Sequence, residues 1–356
     1  MEKYITIGEA AKKLDISSET LRRWDNTGKF VSVRHPINNY RVYTEDQLNS
    51  LAEDLQLEIK YLKSSEVAAL SSPYFTTDLG KLYQMDAIKF LQTLDSGSVD
   101  LIFADPPYNI GKAEWDMFSS QKEYLDWCLE WIKECHRVLK RTGSLYVCGF
   151  SEILADIKWV TNGIFQSSKW LVWFYRNKAN LGRDWGRSHE SILHLRKSKD
   201  FLFNVDEVRI PYNEHTIKYP ERTQAESSQY AKGNKYEHVW TPNPLGAKPK
   251  DVFEVPTIAN GSWERFPHIT QKPVELLRKM ILSSSNPGDL VVDPFGGSGT
   301  TYAVSEAYCR HWLGTELEGF HCQIIKERLS DSSHISRIKT EKDSLDSNTR
   351  RKKLRG

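Results

Sequence analysis

Asp105-Pro106-Pro107-Tyr108 joins a carboxylate, two proline rings and a phenol at the end of an apolar run, Val99 to Ala104. Neither proline has a backbone N–H, and each biases the residue before it toward extended geometry, so the Asp105 carboxylate and the Pro106 carbonyl are held stiffly. Two fixed acceptors beside a flat ring suit a planar aromatic amine. The apolar run reads as a buried strand, and the carboxyl end of a strand is where open α/β sheets place their chemistry. The same residues also fit a plain strand stop with Asp105 capping the next turn, so the tetrapeptide alone leaves both readings open.

A second such stretch lies far downstream. Asp289 to Asp293 reads as a strand, Pro294-Phe295-Gly296-Gly297-Ser298-Gly299 as a glycine-rich turn, and Thr300 to Tyr308 as the start of a helix. Glycines allow close backbone approach, and a helix N-terminus offers free N–H groups to an acidic or carboxylate-bearing ligand. It is not a P-loop, because no Gly-Lys-Ser/Thr follows, and Tyr302 stands where a dinucleotide fingerprint has its third glycine. Arg310 to Thr315 reads as the next strand, with Glu316 at its end, where an acid can bind ribose hydroxyls. These features fit a nucleoside cofactor without a pyrophosphate.

The elements that must position these stretches alternate. Lys81 to Met85 reads as a strand ending at Asp86, Ala87 to Leu94 as a short helix, and Tyr124 to Lys140 as an amphipathic helix with Leu125, Cys128, Leu129, Ile132 and Leu139 inward. Gly143 to Cys148, Trp170 to Tyr175 and Ser191 to Leu195 read as further strands. The alternation predicts an α/β fold with a doubly wound, mostly parallel sheet. Between Arg176 and about Arg265 basic side chains interleave with Trp185, Trp240 and Trp263. That mixture suits a grip on nucleic acid, and equally a solvated insertion.

At 356 residues, with 39% hydrophobic and 12% aromatic content, the chain is long enough for more than one domain. A net charge of +2 neither demands nor excludes nucleic acid. Five cysteines with no C-x-x-C pair indicate neither a disulfide framework nor a zinc site, and His189-Glu190 has no second histidine at helical spacing, so no metal is expected. Met1 to Thr6 has no apolar signal region, and the run from Trp170 to Phe174 is too short to span a bilayer, so a cytoplasmic protein with no membrane partner is expected.

The first 63 residues have their own organisation. Ile7, Ala10, Ala11 and Leu14 share a helical face, Asp15-Ile16-Ser17 makes a turn, and Ser17 or Ser18 can cap a second helix through Trp24. A two-stranded wing ending at Arg41-Val42-Tyr43 follows, then a Thr44-x-x-Gln47 capping box before another helix, Leu48 to about Leu62. The ordering of Ile7-Gly8-Glu9-Ala10-Ala11, Thr20-Leu21-Arg22-Arg23-Trp24 and Tyr40-Arg41-Val42-Tyr43 resembles the winged-helix DNA-binding domain of the MerR regulators. Arg22 and Arg23 can then reach a major groove while Arg41 and Tyr43 clamp the backbone. Residues 64–80 read as a linker, and 331–356 as a polar, basic, disordered tail able to add phosphate contacts.

Together, Asp105 to Tyr108, Asp293 to Gly299 and His268-Ile269-Thr270-Gln271-Lys272-Pro273 resemble the catalytic, cofactor and pre-cofactor motifs of the S-adenosylmethionine-dependent DNA amino-methyltransferases. Their order is similar to the β class. The resemblance covers roughly Leu82 to Leu329 and implies a Rossmann-like methyltransferase domain at 81–330, with a target-recognition region inserted at about 176–265. It further implies S-adenosylmethionine as cofactor and double-stranded DNA as partner, and it admits a restriction endonuclease partner and a homodimer. By this resemblance Phe295, Gly297 and Gly299 wrap the methionine half of the cofactor, Glu316 holds the ribose and Asp86 lies near the adenine. His268, Thr270, Gln271, Lys272 and Pro273 line the methionine end, and Asp293, Ser298 and Thr300 complete the cofactor motif. Ile269 departs from the pattern, since the family often has proline there. The target base would be flipped out, stacked on Tyr108 and held by Asp105 and the Pro106 carbonyl, with Pro107 stiffening the loop. An Asp-headed motif favours adenine N6, with cytosine N4 as the alternative. An RNA or protein amide acceptor, or a regulator with a degenerate methyltransferase-like domain, are more distant readings, and intact Asp105, Tyr108 and Gly297 argue against decay.

Overall fold

Leu101 and Phe103 enter one apolar cluster while Ile102 and Ala104 enter another, so the strand that delivers Asp105 is buried on both faces. The computed structural model describes residues 4–14, 21–22, 24–25, 30–35, 40–51, 72–111, 116–176, 183–220, 222–223 and 239–340. The chain divides into two units, Met1–Ser72 and Pro73–Gly356. Among the described residues no helix is long and apolar enough to cross a membrane.

In the first unit β1 (Ile5–Thr6), α1 (Ile7–Lys13), β2 (Val33–Arg34), β3 (Arg41–Tyr43) and α2 (45–51) enclose a small core. The strands form one antiparallel sheet in the order β1-β3-β2. Ala10 and Ala11 of α1 pack with Leu21, Tyr43 and Leu48. The capping box forms: the Thr44 N–H donates to Gln47 Oε1 at 3.0 Å and the Gln47 N–H to Thr44 Oγ1 at 3.2 Å. The turn at Asp15 to Ser17, the caps at Ser17 or Ser18, and Arg23 lie outside the described residues. Arg22 is exposed, as a DNA-contacting side chain must be. Tyr43 is not: it is fully buried and stacked on Phe30 at 5.2 Å, so it belongs to the core and cannot clamp a phosphate. Arg41 Nε donates to Asp25 Oδ2 at 2.5 Å, which ties this end of the wing to Asp25.

The second unit holds β4 (Phe75–Thr76), β5 (Gly80–Gln84), α3 (Ala87–Thr93), β6 (Val99–Ala104), α4 (Gln121–Val138), β7 (Leu139–Gly149), α5 (Ser151–Val160), β8 (Ser167–Phe174) and β9 (His189–Arg196). It continues with α6 (Glu214–Lys218), β10 (Arg222–Thr223), β11 (Val239–Trp240), β12 (Val252–Glu254), α7 (Val274–Ser284), β13 (Leu290–Asp293), α8 (Thr300–Ala307), β14 (His311–Glu316), α9 (Gly319–Ser330) and a last helix, α10, over 332–340. One sheet of nine strands runs β12-β8-β9-β7-β6-β13-β14-β5-β4. Pairs are parallel except those that β9 makes with β7 and β8, and β4 with β5. From β6 the chain moves through α4 to β7 on one side, and from β13 through α8 to β14 on the other. The strand order therefore reverses between β6 and β13, and a crevice opens at their carboxyl ends.

Local chemistry sets the element ends. Asp86 caps α3 by accepting from the Ile88 and Lys89 N–H groups, and Ser120 caps α4 by accepting from the Glu123 N–H. α4 starts and stops slightly earlier than its apolar spacing predicts, because Leu139 already pairs with Val99 in the sheet. Tyr302 explains the missing third glycine of a dinucleotide turn. Its ring is buried on α8 and its hydroxyl donates to the Asp293 carbonyl at 2.8 Å. The close approach of helix and strand is instead allowed by Gly314 on β14, where a Cβ would collide with that ring.

Three predicted boundaries shift. The linker expected over 64–80 stops short of Phe75, which pairs with Leu82 in a strand too brief to show alternation. The insertion expected at about 176–265 contains β9 and β12, both members of the main sheet. The tail expected to be disordered from 331 is helical over 332–340, with His334 and Ile338 buried; its later residues lie outside the described ones.

Candidate active site

The β6 and β13 ends bring the two chemical stretches together. The loop after Asp105 is pinned by Asp116, 1% exposed, whose carboxylate accepts from the backbone N–H groups of Tyr108 at 2.6 Å, Asn109 at 2.7 Å and Ile110 at 3.2 Å. That grip holds Asn109 at a φ of 55°, a left-handed value that few residues other than glycine accept. The Pro107 carbonyl takes the Tyr124 hydroxyl at 2.9 Å, whereas no described residue donates to the Pro106 carbonyl.

Asp105 sits in a closed network. Its Oδ1 accepts the Tyr108 hydroxyl at 2.7 Å and its Oδ2 accepts Lys272 Nζ at 2.5 Å. Burial alone would pull the Lys272 pKa down, but the carboxylates of Asp105 and Glu190 push it above the ordinary lysine range, so it stays an ammonium. Burial, then the same two carboxylates, push the Tyr108 phenol well up, so it stays a hydrogen-bond donor.

Beside Asp105 lies a cavity of about 260 Å³. Asp86, His268, Thr270, Phe295, Gly297 and Glu316 line it, together with Asp105 and Pro107. Phe295 is wedged edge-on between Trp127 and Trp131 at 5.8 and 5.3 Å, and Trp127 also joins the cavity wall. Gly297 has a φ of 52°, and a Cβ there would stand 3.3 Å from the His268 ring, so glycine is required on both counts. Burial would raise the Glu316 carboxyl, but hydrogen bonds from His321 and the Glu318 and Gly297 N–H groups hold it below its ordinary value. A charged acid therefore stands at the end of β14. Burial, then the neighbouring His321, lower His268 to about 4, so its imidazole is neutral.

The remaining expected cofactor residues fall elsewhere. Gln271, Lys272, Asp293, Ser298 and Thr300 line an adjoining recess of about 30 Å³. Gln271 accepts from the Phe266 N–H at 2.8 Å and braces its own loop, while Pro273 starts α7. Gly299, with a φ of 72°, caps α8. Burial drives the Asp293 carboxyl up to about 8 against the hydrogen bonds it accepts from Thr301 and the Phe295 N–H.

Four structural residues were not singled out from sequence. Asp116 gives no local signal, and Glu190 looks there like half of a failed metal pair. Arg328 of α9, fully buried, donates from Nη1 to the Ser298 carbonyl at 3.1 Å and Thr300 Oγ1 at 2.9 Å. Its Nε donates to Nε2 of His334 on α10 at 3.1 Å.

A model of a protein family described as DNA methylase, covering N6 and N4 enzymes, matches residues 99–327. The chain belongs to the N6/N4 DNA methylase family. The methylase is 36% identical over 257 residues to the DNA adenine methyltransferase YhdJ of Escherichia coli K12, a stretch covering 70% of this chain and 83% of that protein. It is also 36% identical over 250 residues to the type II methyltransferase M1.MboII of Moraxella bovis, covering 67% of this chain and 92% of the relative. Its fold is shared with the cytosine-N4-specific PvuII DNA methyltransferase, at a TM-score of 0.55 and 20% identity over 75% of this chain and 93% of that one. At the amino end, residues 6–43 of the methylase match the model of the MerR family of regulatory proteins.

Proposed function

We propose that the methylase transfers a methyl group from S-adenosylmethionine to the exocyclic N6 amine of adenine in duplex DNA, with the base flipped out of the helix. The observation that carries this reading is the placing of Asp105 in the wall of a cavity shared with Phe295, Gly297 and Glu316, next to a Pro106 carbonyl to which no described residue donates. The residues fit the cofactor: a charged acid for a ribose diol, aromatic walls for an adenine and a sulfonium, and a glycine turn where a side chain would intrude. When bound, S-adenosylmethionine supplies a methyl group made electrophilic by its sulfonium.

Asp105 and the Pro106 carbonyl accept the two amine hydrogens, which turns the nitrogen lone pair out of conjugation and aims it. Asp105 then receives the proton that the nitrogen sheds as it gains the methyl. Tyr108 supplies the face on which the flipped ring stacks. The adenine reading is supported by the Asp-headed motif and by the name of the YhdJ relative. The type II names of other relatives support a restriction endonuclease acting alongside it. The MerR-like region, with Arg22 exposed, supports a second DNA contact that raises affinity.

Methyl-tritiated cofactor, unmethylated plasmid DNA and nucleoside analysis after digestion test this reading. Label in N6-methyladenine that disappears in Asp105→Ala is expected. Label in N4-methylcytosine would overturn the base assignment, and near-normal transfer by Asp105→Ala would overturn the site.

A further inference from the structure

Both oxygens of Asp105 are already taken, one by Tyr108 and the other by Lys272. The recess on this side of Asp105, bounded by Pro106, Tyr108, Ile110, Asp116 and Lys272, measures only about 30 Å³, too little for a purine. A carboxylate oxygen can accept more than one hydrogen bond, so it is the lack of room, and not of lone pairs, that requires a donor to give way when an amine enters on this side. If Lys272 were merely evicted, an ammonium only 7% exposed would lose its counter-charge, which is strongly unfavourable in a buried site.

Glu190 offers those donors another berth. Its Oε2 lies 3.4 Å from the Tyr108 hydroxyl and 3.7 Å from Lys272 Nζ. Among the described residues it is the other carboxylate within ion-pair distance of Lys272, and at 15% exposure it is as sheltered as Asp105 at 17%. The two donors need move only about 0.5–1 Å to exchange a carboxylate of Asp105 for one of Glu190 at full hydrogen-bond length. The fold explains its arrival: β9 runs against its neighbours, so its first residues, rather than its last, reach the catalytic rim, where Glu190 pairs across from Trp173. Among the described groups beside this pair, burial pushes Cys148 and Tyr175 up, so both keep their protons.

We propose that Glu190 is the positioning residue for target-base entry, the second carboxylate that takes over Lys272 and Tyr108 when the amine claims Asp105. The proposal rests on the reading that Asp105 accepts the target amine. Lys272 is then a charge that shuttles between two carboxylates, leaving Asp105 free for the base without stranding a buried cation.

The test compares the full-length parent with Glu190→Gln, Glu190→Asp, Lys272→Met, Asp105→Asn and the Glu190→Gln/Lys272→Met pair, using unmethylated plasmid DNA and tritiated S-adenosylmethionine. Glu190→Gln keeps the shape and loses the charge; kcat is expected to fall about 100-fold while cofactor affinity by calorimetry stays at the parent value. Glu190→Asp should recover a large part of that loss. In the Lys272→Met background, Glu190→Gln should cost no more than about twofold, because the charge it serves is gone. Equal losses in the Gln and Asp variants, or losses that multiply in the double variant, mean that Glu190 only packs and overturn the inference. So does a Glu190→Gln variant within about twofold of the parent when Asp105→Asn is inactive. An active Asp105→Asn would instead bring down the underlying reading.

Discussion

Replacing Asp116 by alanine isolates the loop from the cofactor cavity, because Asp116 touches the former and not the latter. Three backbone N–H groups lose a common acceptor. The Ile110 N–H, at 3.2 Å on an exposed residue, can turn to water, so its loss is discounted. The Tyr108 and Asn109 bonds are short and sheltered, and bonds to a charged acceptor contribute about 1.5–3 kcal/mol each, so about 3 kcal/mol is the minimum at stake. Asn109 adds to this, since its positive φ costs about 1 kcal/mol that the grip of Asp116 now offsets. A deficit of about 3 kcal/mol lowers the ratio of native to displaced loop roughly 150-fold, which sets the ceiling on the loss. Methyl transfer from tritiated cofactor should therefore fall in kcat/KM by about 100-fold, with cofactor affinity by calorimetry unchanged. A loss under about threefold would refute the claim that this carboxylate orders the catalytic loop, and so would an equal loss of cofactor affinity.

Further expectations concern the cofactor side. The folded chain keeps a proton on Asp293 to about pH 8, whereas its ordinary value is 3.8, so this group favours folding most at low pH and loses that contribution as pH rises from about 4 to 8. Asp293→Asn should flatten the fall in melting temperature between pH 5 and 8 relative to the parent; an unchanged slope would exclude Asp293 as its source. Gly314→Ala drives a methyl group into the Tyr302 ring and should lower stability by about 1–3 kcal/mol in urea unfolding, whereas an unaltered midpoint would show that the helix can simply shift. Arg328→Met removes the donors to Ser298 and Thr300 and should weaken S-adenosylmethionine binding about tenfold by calorimetry, the relief of a buried charge limiting the effect; parent-like affinity would detach Arg328 from the turn.

The motifs that sit at strand ends were legible because proline, glycine and a change of hydrophobic period all mark the same residues. Asp105, Phe295, Gly297 and Glu316 stand out locally because they follow or close a buried strand, while their roles came only from the resemblance of the three motifs together. Glu190 was hidden for a geometric reason: it begins an antiparallel strand, and nothing in local sequence says which way a strand runs. Arg328 gives no local signal because its partners on the glycine turn lie 28 and 30 residues away. Tyr43 misled in the opposite sense, as an aromatic beside an arginine suits both a phosphate clamp and a core, and only its contact with Phe30 separates them. The helix over 332–340 buries His334 and Ile338 and packs Ile335 beside them, and three such positions in one short polar stretch are too few to stand out.

That last helix joins the glycine turn through two hydrogen bonds in series, His334 to Arg328 and Arg328 to Ser298. Binding equilibria joined in this way are reciprocal: whatever an ordered turn adds to the affinity of a ligand, the ligand returns as added order in the helix. With the cofactor bound at the proposed site, the helix over 332–340 should therefore report occupancy through slowed amide exchange, without any label near Asp105.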